Sequence, residues 1–233
     1  MPASAPAPAG SGPVAEWPLN EGSGTVIHDS TGDGNTGTVY GATWAPGVSG
    51  SALSFNGNGN HADINGTPAD LTNLSTFTWS AWINVVGEPG RDIGPVIEKG
   101  AGSDIRKTFY VGPVGTSDPG LVFARVTTSG AAASSIGVNN SYTVGAWQQW
   151  AITYNDSGDR KIHIYRNGVE IAYQSQTAAT GTIASDTGYT LSLGATPGSQ
   201  FYSFNGLIDD VRIYNRVLSA GELSALGEGE NIP

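Results

Sequence analysis

The chain has 233 residues, 34 of them Gly and none Cys, with 10 Lys plus Arg against 20 Asp plus Glu and a formal net charge of −10. That balance argues against a nucleic-acid partner, which needs a basic footprint for its phosphates, and the lack of Cys removes disulfides and thiolate metal sites. No run approaches the roughly twenty apolar residues that cross a bilayer, so no membrane insertion is expected, and the length suits a single well-covered domain.

Residues 1–13 are rich in Pro and Ala and read as a semi-rigid linker of the kind that tethers modules. The start lacks the basic-then-apolar pattern of a signal peptide. Residues 29–38 (DSTGDGNTGT) set short oxygen-bearing side chains between glycines, a composition that turns several carbonyls and carboxylates toward one point. Phe77, Trp79, Ala81 and Ile83 alternate with Thr78, Ser80 and Trp82 and predict a strand with one face in a core. The core is assigned Trp17, Trp79, Trp82 and Trp150, with Trp44 and Trp147 left open. Trp150, Ile152 and Tyr154 alternate likewise, a polar turn follows at 155–159, and 161–165 is the next strand. Asn167-Gly168 is the strongest hairpin signal in the chain and predicts a return strand over 169–173. In 206–219 (GLIDDVRIYNRVLS), Asp209 and Asp210 interrupt an apolar strand, and burying either calls for a cation or hydrogen-bond donors. One helix is predicted over 218–226, with Ser219 as N-cap, Glu222 completing a capping box and Gly227 ending it. No fixed-period repeat is present, which removes propellers and solenoids.

These segments, in this order, resemble the laminin-G-like, concanavalin-A-like jelly-roll domains of secreted bacterial proteins. Residues 17–24 are similar to the family's opening strand, 52–57 to its next signature, 77–83 to its buried strand, and 147–154 with 161–169 to its central hairpin. The resemblance runs from about Val14 to Leu226 and implies an all-β, two-sheet antiparallel jelly-roll sandwich with one short C-terminal helix. The domain would span 14–226 and a tail 227–233. It specifies fold far better than function, because this sandwich serves binding, adhesion and catalysis alike.

The resemblance also implies that the early loop and the late Asp pair meet at one edge of the sandwich. The implied ligands of a structural Ca²⁺ are Asp29, the amide of Asn35, a carbonyl near Thr38, and Asp209 and Asp210, with Asp33 in reserve. The alternative is that Asp29 and Asn35 make turn hydrogen bonds while Asp209 or Asp210 pairs with Arg212 or Arg216. An EF-hand is excluded, because the later bidentate Glu is missing.

Catalysis is not expected. The Glu residues are scattered singly, so the paired acids of a glycosidase strand are absent. The run 106–110 lacks the acidic partners of a lyase site, and His28, His61 and His163 are not at zinc-binding spacing. Loops at 87–94, 100–107, 115–120 and 196–202 are the places for specificity. Arg91, Asp92, Tyr110, Arg125, Phe201 and Tyr202 are the candidate ligand-binding residues, with Tyr110 or Tyr202 as the platform on which a sugar ring stacks. Lys99 and Arg106 are read as solvated. The expectation is a secreted, monomeric, non-catalytic carbohydrate-binding module that holds an appended catalytic module near a polysaccharide or glycan. Alternatives are a protein-binding adhesion module of a bacterial surface protein and, behind it, a hydrolase or lyase with an unfamiliar site.

Overall fold

The computed structural model of the protein describes residues 12–87, 93–112, 120–198, 202–230 and 232. The 1–13 linker lies almost wholly outside them. The strands are β1 (Ala15–Trp17), β2 (Val26–Ile27), β3 (Gly37–Tyr40), β4 (Thr43–Pro46), β5 (Ser51–Asn56), β6 (His61–Ile64), β7 (Thr76–Val85), β8 (Gly94–Ala101) and β9 (Asp104–Val111). They continue as β10 (Val122–Val126), β11 (Ala133–Gly137), β12 (Trp147–Asn155), β13 (Ile162–Arg166), β14 (Val169–Glu170), β15 (Tyr173–Thr177), β16 (Thr190–Leu193) and β17 (Asn205–Tyr214), before the helix α1 (Ala220–Gly227).

Two antiparallel sheets result. The back sheet has the order β14-β13-β12-β7-β17-β5-β4, with β1 also pairing β17. The front sheet has the order β15-β11-β10-β9-β8-β16-β6-β3-β2. Late strands sit between early ones in both sheets, β17 between β5 and β7 and β16 between β6 and β8, as a jelly roll requires. The fold is the expected sandwich.

The period-2 alternation sets the core. Trp150, Ile152 and Tyr154 lie opposite Ala81, Trp79 and Phe77, and all six are buried. The front sheet answers with Phe109, Val111, Val122, Ala124, Leu191 and Leu193. Trp150 meets Phe109 across the two sheets at 6.2 Å between ring centroids. The turn at Asn167-Gly168 has φ of 48° and 76°, both in the left-handed region that a two-residue hairpin turn needs. Helix α1 forms at the predicted place. Ser219 accepts from Glu222 N and the Glu222 carboxylate accepts from Ser219 N at 2.7 Å. Its buried Leu223 and Leu226 pack with Ala151, Tyr214 and Leu218, closing part of the back sheet's outer face.

Four local expectations are corrected. Trp82 is only half-buried and, one residue out of phase with Trp79 and Ala81, faces away from the core. The return strand over 169–173 is split: Val169–Glu170 stays in the back sheet, and from Tyr173 the chain pairs with β11 of the front sheet. The loop expected at 100–107 is a tight turn between β8 and β9, with strand structure through most of it. Lys99 is 2% exposed rather than solvated. It lies opposite Lys107, also 2% exposed, and both ammonium groups pair with the fully buried Asp186. Asp186 in turn accepts from Asn73 N at 2.6 Å, so this buried triad pins the 68–73 and 184–189 segments to the front sheet.

Candidate functional site

The acids that the sequence singles out, Asp33 aside, form two hydrogen-bonded knots that meet at Glu16, whose N–H serves Asp29 and whose carboxylate pairs with Arg212. Asp29 Oδ1 accepts from Glu16 N, Thr31 N and Thr31 Oγ1, and its Oδ2 accepts from the backbone and side-chain N–H groups of Asn35 at 3.1 and 2.9 Å. Burial alone would raise its pKa, but the hydrogen bonds from Thr31, Glu16 and Asn35 outweigh it and hold the carboxyl below its usual range. The Asn35 amide also donates to Asp70. Asp33 is exposed, and Thr38 faces outward on the front sheet, donating to Asn65.

Asp209 is 1% exposed, with Oδ2 accepting from Val48 N and Oδ1 from Asp210 N, both at 2.8 Å. Burial outweighs these bonds and pushes its carboxyl up to about 6. Asp210 sits at φ 45°, in a bulge where three steps on β17 oppose two on β7, and pairs with Arg212, which also pairs with Glu16. Burial raises Asp210 as well, against the opposing charge of Arg212. Asp209, Asp210, Arg212, Glu16, Asn20 and Trp82 line a cleft of about 370 Å³.

A calcium ion needs open oxygens. Here Asp29, Asp209 and Asp210 meet N–H and O–H donors instead, and Thr38 stands with neither knot. Among the described residues no group of three or more His, Cys, Asp and Glu is placed to hold a metal. In this arrangement the Asp29, Asp209 and Asp210 oxygens that the resemblance implies as calcium ligands are engaged by protein donors.

A different surface emerges on the outer face of the front sheet. Thr38, Asp63, Ser192, Glu98, Thr108, Arg125 and Ser134 are successive partners in register across β3, β6, β16, β8, β9, β10 and β11. Their neighbours Ala62, Ile64, Leu191, Leu193 and Val126 are core residues, so this polar row points away from the core. A second row, two residues along, carries rings. Tyr40 stacks on His61 at 4.8 Å, and Tyr110 lies against Phe123 at 4.6 Å.

Tyr110 and Phe123 are half-buried and Arg125 is exposed beside them. Burial and the charge of Glu98 push the Tyr110 hydroxyl up to about 12 against the opposing Arg125, so it stays a neutral donor. The 194–198 segment runs against 202–204, held by the Ala195–Ser203 bridge and by Thr196 N donating to Tyr202 O. It leaves β16 where Gly194 N donates to Val96 O, passes Glu98 at Thr196, and reaches Gly102, whose N–H donates to Pro197 O. Glu98 and Ser192 are 2% and 0% exposed, Thr196 lies against Glu98, and Tyr202 is 37% exposed. Burial raises the Glu98 carboxyl, with Thr108 and Thr196 opposing it.

Of the six expected ligand-binding residues, Tyr110 and Arg125 therefore share one face, and Tyr202 lies beside Thr196, its O accepting from Thr196 N. Arg91, Asp92 and Phe201 lie outside the described residues. Sequence reasoning missed Phe123 and the Asp63–Ser192–Glu98 row. The available signal was a polar residue between two core residues in two short segments, Ala62-Asp63-Ile64 and Leu191-Ser192-Leu193, whereas Glu98, followed by Lys99, carries none.

Solved structures share the fold at low identity. Domain 4 of AbnA, a GH43 extracellular arabinanase from Geobacillus stearothermophilus solved with arabinotriose, matches at a TM-score of 0.63 and 17% identity, over 93% of this chain and 98% of that one. A Trypanosoma rangeli sialidase in complex with sialic acid matches at 0.66 and 18% identity, over 93% of this chain but 32% of the sialidase. The receptor-binding domain of botulinum neurotoxin type G matches at 0.66 and 14%, over 94% of this chain and 51% of that domain. At such identities the likeness establishes fold alone. No curated protein matches in sequence. Among the described residues no helix is long and apolar enough to cross a membrane. The family model for the concanavalin A-like lectin/glucanases superfamily, of laminin-G type, matches residues 56–224, and the chain belongs to that family.

Proposed function

We propose that the protein is a non-catalytic carbohydrate-binding module that works through the outer face of its front sheet, as a secreted, monomeric unit holding an appended catalytic module near a polysaccharide. The observation that carries this reading is the Tyr110–Phe123 ring pair on that face, with Arg125 beside it and the polar row of Thr108 and Ser134 alongside. A pyranose offers one apolar face to a ring and hydroxyls around its edge, which matches a ring row next to a polar row. The similar structures solved in complex with arabinotriose and with sialic acid are consistent with a sugar ligand.

Catalysis on this face is disfavoured by the burial of Glu98, which at 2% exposure stands away from a chain bound on the surface. One observation favours a hydrolase instead: Asp209 and Asp210, both raised, border the cleft that Trp82 lines. Their oxygens are taken by Val48, Ser49, Asp210 and Arg212, so neither is free to act as acid or nucleophile as placed. The test is a polysaccharide array with released product measured in the same wells. Binding without turnover, lost in Tyr110→Ala, supports the module. Turnover lost in Asp209→Asn establishes the hydrolase.

A further inference from the structure

Three adjacent strands of the front sheet leave one oxygen each without a hydrogen-bond partner. They are Asp63 Oδ1, Ser192 Oγ and Glu98 Oε1, all screened from solvent as atoms. The residues are in direct register, Asp63 opposite Ser192 and Ser192 opposite Glu98, and all three point to the outer face. Neighbouring strands are about 4.8 Å apart, so the two carboxylates flank the hydroxyl within a span of roughly 10 Å at the backbone. Buried polar atoms are nearly always paired, and three orphans in one row mark a site that something polar completes.

What completes it follows from the donor set. All three atoms are oxygens, two belong to carboxylates, and Thr196 hydrogen-bonds the Glu98 carboxyl group. Calcium is a hard cation that takes oxygens, carboxylates first among them, so a row of buried oxygens that no N–H or O–H group has claimed is the donor chemistry it needs. The other oxygen of Glu98 is already fixed by Thr108 Oγ1 at 2.7 Å, orienting the carboxylate as a hydrogen-bonded partner orients a ligand. We propose that Asp63, Ser192 and Glu98 bind a calcium ion beside Thr196, tying β6, β16 and β8 together on the outer face of the front sheet. The Asp29 and Asp209 knots, with their oxygens already filled, take no part. The site is independent of whether the face binds sugar.

Calorimetric titration of the intact protein with CaCl₂ after chelator treatment tests this, with melting temperature followed in parallel. The parent binds calcium and its melting temperature rises by about 5 °C or more at saturation. Glu98→Gln lowers calcium affinity by at least about tenfold, whereas Asp29→Asn and Asp209→Asn keep parental affinity. If Glu98→Gln fails to fold by circular dichroism, Asp63→Asn on the rim gives the same comparison. No binding heat in the parent, parental affinity in Glu98→Gln, or loss of binding in Asp29→Asn alone would each overturn the assignment.

Discussion

Asp29 and Asp209 stand out in the sequence, and each has its carboxylate oxygens filled by N–H or O–H donors from the surrounding loops. Asp63 and Glu98 sit in strands with no motif around them, and each keeps an oxygen without a partner. The difference teaches that an acid's neighbours in sequence and its neighbours in space answer different questions. A Gly-rich loop supplies its own donors and consumes its carboxylate in holding itself together. A regular strand cannot, because its N–H groups are committed to the ladder; Asp209 gains a donor from its own strand only at the β17 bulge, where Asp210 N is released from pairing.

If the knots are structural, breaking one has the largest effect on stability. Asp29→Ala strands several donors around a half-buried site and is expected to cost about 3 kcal/mol in a denaturant melt, with glycan binding unchanged in the folded fraction. A loss under about 1 kcal/mol would erase the distinction between knot and face.

The two knots should also respond oppositely to pH. Asp209 has a folded pKa of about 6 against an unfolded value near 3.8. Its ionised form penalises the folded state above pH 6, and that penalty is relieved as pH falls from 6 toward 4, a contribution on the order of 2 kcal/mol. Asp29, held below its usual value, contributes stability that is present above about pH 4 and lost as pH falls through its lower folded pKa. Melting curves of Asp209→Asn against pH should lack the gain between 6 and 4, while Asp29→Asn should lack the loss at lower pH.

On the front face the effects move from stability to binding. Tyr110→Ala is expected to weaken polysaccharide affinity by about tenfold, the worth of one stacked ring, with little change in melting temperature because the ring is half-exposed. The smallest effect is expected from Glu98→Gln in calcium-free buffer, within about 1 kcal/mol of the parent in a urea melt. A larger destabilisation would mean that Glu98 is part of the scaffold.

Much of the fold is legible in the chain. The alternation of 77–83, the Asn167-Gly168 turn and the Ser219/Glu222 capping box each encode a local geometry, and each forms where its residues require. Trp82 shows the limit: alternation puts it on the opposite face from Trp79, but apolar character alone assigns it to the core. Lys99 and Lys107 become buried only because Asp186, far along the chain, comes to lie between them. The Asp63–Ser192–Glu98 row depends on the register of three strands distant in sequence, and period-2 patterning carries no information about which strands become neighbours. Tyr110 and Arg125 were within reach because rings and charges at outward strand positions are visible locally. Their convergence with Phe123 was not.

The most direct test of the account is a binding titration of one polysaccharide found on the array, comparing the parent, Tyr110→Ala/Arg125→Ala and Asp209→Asn, with melting temperatures measured on the same samples. The account predicts that the front-face double variant loses binding at an unchanged melting temperature while Asp209→Asn binds like the parent. Parental affinity in the double variant, or loss of binding in Asp209→Asn alone, would contradict it and move the working surface to the Trp82 cleft.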